Sequence, residues 1–461
     1  MNTATVTSLE SSTTASSLRN THNGSANHKE AAESTTPEKH RTPEELRRAV
    51  QRKYRHVAAV HHRSRPSTLS HDSNAAPSFI GFRNLMVIVL AAAQQARGLR
   101  AKSKDGAASP THDQRSRFES TWKVIAWIHT VNVTLALAVT SYVVYFHIHH
   151  PLIGTLTELH ALIVWLKTAS YAFTNRDLRH AYLHPVKGEL AAMPDIYQQC
   201  PYPQNITMHN LAYFWWAPTL VYQPAYPRTD KIRWLFVAKR MAEVFGLGVF
   251  IWFASAQYAA PVLINSLDKI ASLDVPKILE RLMKLSTISL VIWLAGFFAL
   301  FQSFLNALAE VTRFGDRCFY EDWWNSESLG AYWRLWNKPV YQYFKRHVYS
   351  PLIGRGWSPR AAQLAVFFAS AVLHEVLVGI PTHNIIGVAF AGMFLQLPLI
   401  AITTPLEKMQ TPTGRMLGNC IFWISFTILG QPFAALMYFY AWQAKYGSVS
   451  RQIAWSTAPS S

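Results

Sequence analysis

Eight apolar windows of membrane-spanning length constrain the fold of this chain more than any other feature. A helix needs about 20 mostly apolar residues to cross the hydrocarbon core of a bilayer. Charged residues are only 15% of the chain and are scarce inside these windows. The sequence therefore predicts an all-α, multi-span helical membrane protein. The windows are Phe79 to Leu99, Val124 to Phe146, Leu152 to Phe173, Leu235 to Leu263, Leu285 to Leu308, Ala361 to Ile380, Ile385 to Ile402 and Leu417 to Trp442.

The chain ends differ in composition from this membrane domain. Residues 1–77 are rich in Ser, Thr, Asn, His, Lys and Arg, and they hold too little apolar surface to offset the entropy of ordering. We expect a disordered basic tail over 1–77, a membrane domain over 78–446 and a short tail over 447–461. A helix starting at Thr42 is either transient and solvated or an arm for membrane-surface contact or self-association. No cleaved signal peptide is expected.

The net charge of +18 limits the classes of partner. The basic residues flank apolar spans and form no groove-reading motif, so anionic lipid headgroups are expected as partners and nucleic acid is not. Whether copies of the chain form a homo-oligomer is left open. The three cysteines, Cys200, Cys318 and Cys420, are too few and too widely spaced for a disulfide framework or a cysteine metal site. No metal site is predicted, because the histidines of HIHHP have no carboxylate or cysteine partner nearby.

Ionisable residues at membrane depth mark candidate functional positions. They are costly in lipid, so they should face the bundle interior or a water-filled cavity. The most informative is His374 in AAQLAVFFASAVLHEVLVGIP, because a buried, neutral histidine can accept a proton as a general base. Ser370 shares its helical face. A packed histidine and a serine nucleophile are alternatives, but no nucleophile-elbow motif occurs. The ionisable residues are Glu158, His160, Lys167, Glu243, His374 and Glu375.

A short aromatic loop, Arg317 to Tyr341, lies between two apolar windows. Its sequence, RCFYEDWWNSESLGAYWRLWNKPVY, holds four tryptophans, three carboxylates and two asparagines. Such a loop can anchor a segment at the membrane surface, hold an apolar ligand with a polar head, or fill a core.

The aromatic loop and the helix of His374 resemble the membrane-bound O-acyltransferase family. Residues 313–328, RFGDRCFYEDWWNSES, are similar to its FYxDWWN signature, and ASAVLHEVLVGIP is similar to the helix with the family's active-site histidine. The resemblance covers Phe79 to Tyr446. The shorter stretches YPQNIT, RHVYSP, HEVLVGIP and GQP resemble the type-one acyl-CoA:diacylglycerol acyltransferase branch, which is related to the sterol acyltransferases.

This resemblance implies eight or nine transmembrane helices around a central reaction chamber in the endoplasmic reticulum membrane. Acyl-CoA, as co-substrate and without a further cofactor, would acylate 1,2-diacylglycerol to triacylglycerol. We expect the loop tryptophans to lie at headgroup level and to wall an acyl tunnel. The alternatives are a sterol or long-chain alcohol O-acyltransferase and a non-catalytic lipid transporter or scaffold. The expected catalytic residues are His374 and Asn325, and the expected substrate-binding residues are Trp324, Ser370, Glu375, Gln396 and Gln431.

The chain departs from the family pattern in two respects. Tyr341 stands where the family usually has a histidine after NxPV, so that histidine's role cannot be carried over. Family members commonly have nine spans, and eight spans with a cytosolic N-terminus would put the aromatic loop on the luminal side. Because acyl-CoA cannot cross a bilayer unaided, we nevertheless predict that the loop is cytosolic, in agreement with the basic residues around it.

Overall fold

Seven helical segments in the computed structural model are long and apolar enough to cross a membrane. The structure describes residues 60, 61, 64, 65, 112–183, 194–409 and 411–447. The segments confirm seven predicted windows, and the eighth, Phe79 to Leu99, lies outside the described residues. They are Ala126–His147, Pro151–Tyr182, Trp234–Ala271, Val275–Val311, Pro359–Gly379, Val388–Lys408 and Pro412–Tyr446.

The described part of the chain has helices, joined by loops, as its regular elements, and its β-structure is limited to two isolated bridges, Arg65 with Asp316 and Arg228 with Phe314. Its helices are α1 (His112–His147), α2 (Pro151–Leu183), α3 (Asp195–Gln198), α4 (Met208–Trp216), α5 (Trp234–Ala254), α6 (Ala260–Ile264), α7 (Leu267–Ala271), α8 (Val275–Phe297), α9 (Leu305–Val311), α10 (Leu329–Leu335), α11 (Lys338–Phe344), α12 (Ser350–Gly354), α13 (Pro359–Gly379), α14 (Val388–Phe394), α15 (Gln396–Lys408), α16 (Pro412–Ile424) and α17 (Gln431–Tyr446). Four π-helical stretches, Ser255–Ala259, Phe298–Phe304, Lys345–Tyr349 and Ser425–Gly430, and one 3-10 turn, Trp323–Asn325, connect neighbouring helices.

The helices that carry the candidate site begin at polar caps followed by proline. Ser358 accepts a hydrogen bond from the backbone N–H of Ala361 at the start of α13, and Thr411 accepts one from Gly414 at the start of α16. The caps satisfy backbone donors that have no partner within the helix, and the prolines already have the φ that the first helical turn requires. These local signals set the starting points of α13 and α16.

The aromatic loop is part of the main core of the protein. Trp323 is 1% exposed and packs edge-to-face on Trp293 and Phe297, with ring centroids 5.3 and 5.2 Å away. Trp324, Trp333 and Trp336 are partly buried against the same cluster, which also contains Phe367 of α13 and Phe422 of α16. Residues of α8, α10 and α16 thus enclose the Trp323 ring, which fills the protein core. The expectation that the loop tryptophans lie at headgroup level stays a prediction.

Two charged residues of α2 are buried, as expected. Glu158 is fully buried and accepts a hydrogen bond of 2.6 Å from the Ser141 hydroxyl of α1. The ammonium of Lys167 donates to the backbone oxygens of Phe214, Trp215 and Ala217 at 2.7 to 2.9 Å. Lys167 thus satisfies the carbonyls at the end of α4. His160, by contrast, is exposed.

Candidate active site

The imidazole of His374 has a defined orientation on α13. Its Nδ1 lies 2.7 Å from the backbone oxygen of Ser370 and 3.5 Å from the Ser370 hydroxyl. Because a carbonyl oxygen only accepts hydrogen bonds, Nδ1 carries the proton and Nε2 keeps its lone pair. No described residue hydrogen-bonds to Nε2. Ser370 therefore orients the histidine through its carbonyl, and the ring is in the tautomer that a general base requires.

The carboxylate of Glu375 binds neighbouring helices rather than His374. It accepts hydrogen bonds from the backbone N–H groups of Gly387 and Phe390, at 2.9 and 3.1 Å, and from the Tyr438 hydroxyl, at 2.8 Å. The Tyr438 hydroxyl also accepts from the N–H of Ala389. Glu375 thus joins α13 to the start of α14 and to α17. Glu375 was predicted to bind substrate, but its carboxylate connects these helices.

Asn325 ends the 3-10 turn of the aromatic loop, and its side chain is exposed. Its amide has no hydrogen-bond partner among the residues that the structure describes. The backbone around it is held by α16. The Asn419 side-chain amide donates to the oxygens of Trp324 and Ser326, at 3.1 and 2.9 Å, and the Trp423 indole donates to the oxygen of Trp324 at 3.2 Å. The fixed backbone leaves the Asn325 amide free to bind a ligand.

The N-terminal side of the aromatic loop is held by residues of the predicted tail. Asp316, next to the loop, accepts hydrogen bonds from His61 Nδ1 at 2.7 Å and from the Arg65 guanidinium at 2.6 Å. Burial alone would raise the pKa of Asp316, but the hydrogen bonds from His61 and Arg65 lower it below its usual value. His61 Nε2 also lies 2.7 Å from the Thr219 hydroxyl. The other residues of 1–77, apart from Val60 and Ser64, lie outside those described, so the disorder predicted for them stays a prediction.

The two glutamines occupy different surroundings. Gln396 accepts a hydrogen bond from the Trp333 indole at 3.3 Å and donates to the oxygen of Gly392 at 3.0 Å. The Trp333 ring packs edge-to-face on Phe367 of α13, so Gln396 is linked through one side chain to the helix of His374. Gln431 begins α17, directly after a π-helical stretch, and is half-buried. Its side chain makes no hydrogen bond to the described residues.

Tyr341 lies in α11, whose start is capped by the Asn337 side chain. Burial raises the pKa of the Tyr341 phenol, and the Lys345 ammonium lies 5.7 Å from its ring centroid. At neutral pH this side chain is an uncharged phenol that can donate a hydrogen bond, but it cannot replace a histidine as a base.

Sequence reasoning missed Gly418 and Asn419. A Cβ at Gly418 would lie 1.9 Å from the backbone oxygen of Glu327, so only glycine allows the loop to approach α16 this closely. The available signal was the Gly-Asn pair in the apolar stretch MLGNCIFW. A small residue beside an amide at membrane depth indicates close packing and a polar partner.

Comparisons with known proteins agree with these features. The model of the MBOAT, membrane-bound O-acyltransferase family, matches residues 118–440. The chain is 40% identical to diacylglycerol O-acyltransferase 1C of Glycine max over 296 residues, 64% of this chain but only 56% of that protein. It is 34% identical to diacylglycerol O-acyltransferase 1 of Corylus americana over 85% of this chain and 77% of that protein. It is also 34% identical to diacylglycerol O-acyltransferase 1 of Arabidopsis thaliana over 86% of this chain and 80% of that protein. The match thus spans little more than half of the Glycine max protein.

Proposed function

We propose a reaction for this chain, which belongs to the membrane-bound O-acyltransferase family. It transfers a long-chain acyl group from acyl-CoA to the hydroxyl of 1,2-diacylglycerol and so forms triacylglycerol. The protein is a multi-pass membrane protein, and we propose the endoplasmic reticulum as its location. Acyl-CoA, diacylglycerol and the surrounding membrane lipids are its proposed partners. The reaction needs no cofactor besides the acyl-CoA co-substrate.

The hydrogen bond from His374 to the Ser370 carbonyl carries the proposed mechanism. It leaves Nε2 as the acceptor for the proton of the diacylglycerol hydroxyl. As that proton leaves, the oxygen attacks the thioester carbonyl carbon and a tetrahedral intermediate forms. The carbon–sulfur bond then breaks, and the imidazolium returns its proton to the coenzyme A thiolate. No acyl-enzyme intermediate is required.

Asn325 is proposed to stabilise the negative charge that develops on the thioester oxygen. Its exposed amide is a hydrogen-bond donor, and a donor aimed at a developing oxyanion can contribute about 10²-fold or more to the rate. Trp324 would pack against the acyl chain, since its backbone is already held by α16. Gln396 and Gln431 would add polar contacts for the two substrates.

The aromatic loop is proposed to face the cytosol. Acyl-CoA carries several negative charges and is made in that compartment, so the residues that receive it must be open to it. Basic residues near the loop can attract the phosphates of the coenzyme. Those with accessible side chains are Arg313, Lys338, Lys345, Arg355 and Arg360, whereas Arg317 and Arg346 are buried.

An acceptor-competition assay tests the proposed function. Membranes that contain the full chain are given radiolabelled oleoyl-CoA with equal amounts of diacylglycerol, a sterol and a fatty alcohol, and the H374A variant serves as the control. We expect label in triacylglycerol for the wild type and none above background for H374A. Label mainly in steryl or wax ester would assign a different acceptor. No label in any ester from a correctly inserted chain would favour a transporter or scaffold.

A further inference from the structure

Three guanidinium groups surround the ring of Phe236 near the start of α5. Their Cζ atoms lie 4.5 Å (Arg233), 5.3 Å (Arg240) and 5.9 Å (Arg317) from the ring centroid. We call Arg233, Arg240 and Arg317 the arginine cluster. A phenyl face attracts cations, so Phe236 offsets part of the repulsion between these groups.

The carboxylates beside the arginine cluster do not balance its charge. Glu310 is fully buried and pairs with Arg317 Nη1 at 2.6 Å and with Arg233 at 3.4 Å. Glu243 pairs with Arg240 at 2.7 Å and also accepts from the Ser303 hydroxyl at 2.7 Å. Among the described residues, three positive groups therefore face two paired carboxylates, which leaves one excess positive charge.

Two donors of the arginine cluster are buried without a hydrogen-bond partner in the described residues. They are Nη2 of Arg317 and Nε of Arg240. A buried donor that belongs to a charged group is destabilising when it has no acceptor. The excess charge and these two donors call for the same ligand, an anion with several acceptor oxygens. A phosphate group fits, because guanidinium groups bind it through paired N–H donors.

The surroundings of the arginine cluster favour a lipid as the source of that phosphate. Trp234 and Leu235, at the first turn of α5, are 64% and 81% exposed, and α5 continues as an apolar membrane-length segment. Exposed tryptophan at a helix end is typical of the headgroup region. Arg240 lies six positions after Trp234, about 9 Å along the helix, so its side chain can reach back to the headgroup level.

We propose that the arginine cluster binds the phosphate of an anionic membrane phospholipid. The lipid phosphate binds the partly exposed guanidinium groups of Arg233 and Arg240, and the buried Arg317 adds to the positive charge. The acyl chains lie along the exposed side of α5 beside Trp234 and Leu235. None of the three arginines is among the residues proposed to act in catalysis. The existence of the site does not depend on which acceptor the enzyme acylates.

Lipid titration of the full-length, delipidated protein in detergent tests this site. Dioctanoyl phosphatidylglycerol is the probe, dioctanoyl phosphatidylcholine is its zwitterionic control, and binding is followed by microscale thermophoresis. R240Q removes one charge of the arginine cluster. K239Q is the matched control, because Lys239 is the neighbouring, exposed cation on α5. We expect R240Q to weaken phosphatidylglycerol binding about tenfold or more and K239Q to weaken it less than twofold.

Three results would overturn the proposal. One is equal affinity of the wild type for the two lipids, and another is equal loss of binding in R240Q and K239Q. The third is loss of coenzyme A or inorganic phosphate binding in R240Q with phosphatidylglycerol binding intact, which would assign the arginine cluster to a soluble phosphate. If R240Q does not elute as the wild type does in gel filtration, R240K replaces it, with K239R as its control. R240K keeps the charge but loses the paired donors, and a loss below threefold relative to K239R would then overturn the proposal.

Discussion

Replacement of Gly418 by alanine should displace the aromatic loop and lower acyl transfer about a hundredfold. The new Cβ would lie 1.9 Å from the oxygen and 3.0 Å from the carbonyl carbon of Glu327. Carbon–oxygen contacts normally begin near about 3.3 Å, so loop and helix must separate by roughly 1.4 Å. Glu327 is two residues from Asn325, and a displacement of about 1 Å at a reacting group can cost about 10²-fold in rate.

Two hydrogen bonds to residues just before Glu327 couple this displacement to the loop backbone. Asn419, next to Gly418, binds the backbone oxygens of Trp324 and Ser326. Separation of the loop from α16 therefore stretches both bonds, and overpacking of this kind costs about 1–3 kcal/mol of stability. We expect G418A to show a lower thermal unfolding midpoint as well as a lower kcat.

The assay compares kcat and KM for oleoyl-CoA and diacylglycerol in nanodiscs. The matched control is G248A in α5, where a Cβ would meet nothing within 4 Å. An exposed helical glycine changed to alanine should keep activity within about twofold and stability equal or slightly higher. If G418A retains activity within about threefold of the wild type, with an unchanged unfolding midpoint, the reasoning about loop placement is refuted.

Three further predictions concern the base, the loop anchor and the topology. H374A should lower turnover at least about 10²-fold in an inserted protein, whereas turnover above a hundredth of wild type would contradict the general base; H374Q tests whether hydrogen bonding alone suffices. D316N should lower the unfolding midpoint at pH 7, because His61 and Arg65 lose their buried carboxylate. The lowered pKa of Asp316 stabilises the fold above its usual pKa, so the difference between wild type and D316N should shrink as the pH falls below about 4 in thermal scans. In a variant whose native Cys200, Cys318 and Cys420 are replaced, a cysteine introduced at the exposed Asp322 should react with an impermeant maleimide in sealed microsomes. Reaction only after permeabilisation would place the loop in the lumen.

The spans and the helix of His374 could be predicted from the sequence because their signals are local. Length and apolar content within one window decide whether a helix crosses a membrane. The pairing of His374 with Ser370 also follows from a spacing of four residues on one helix. The partners of Glu375 were not predictable in this way, because Gly387 and Phe390 are 12 and 15 residues away, beyond the end of α13.

The same distinction explains why the sequence left the burial of Trp323 open. Four tryptophans in a short loop between apolar windows match the composition of an interfacial anchor. The alternative, a core position, depends on which elements cover the loop, and these come from distant parts of the chain. Trp293 of α8 and Phe422 of α16 both contact the Trp323 ring. Composition therefore identified the loop as exceptional, but only the packing of separate helices determined which side of it is buried.

The aromatic loop is held next to its first residue and on either side of Asn325 by residues that are remote in sequence. His61 and Arg65 bind Asp316 across 255 and 251 positions, and Asn419 binds the backbone of Trp324 and Ser326 across 95 and 93 positions. Asn325 itself makes no such side-chain contact among the described residues. A donor that must meet a developing oxyanion works best when its backbone is rigid and its own hydrogen bonds remain available. Removal of residues 1–77 should therefore affect catalysis through the position of the loop, because Asp316 would lose both of its partners from the N-terminal segment.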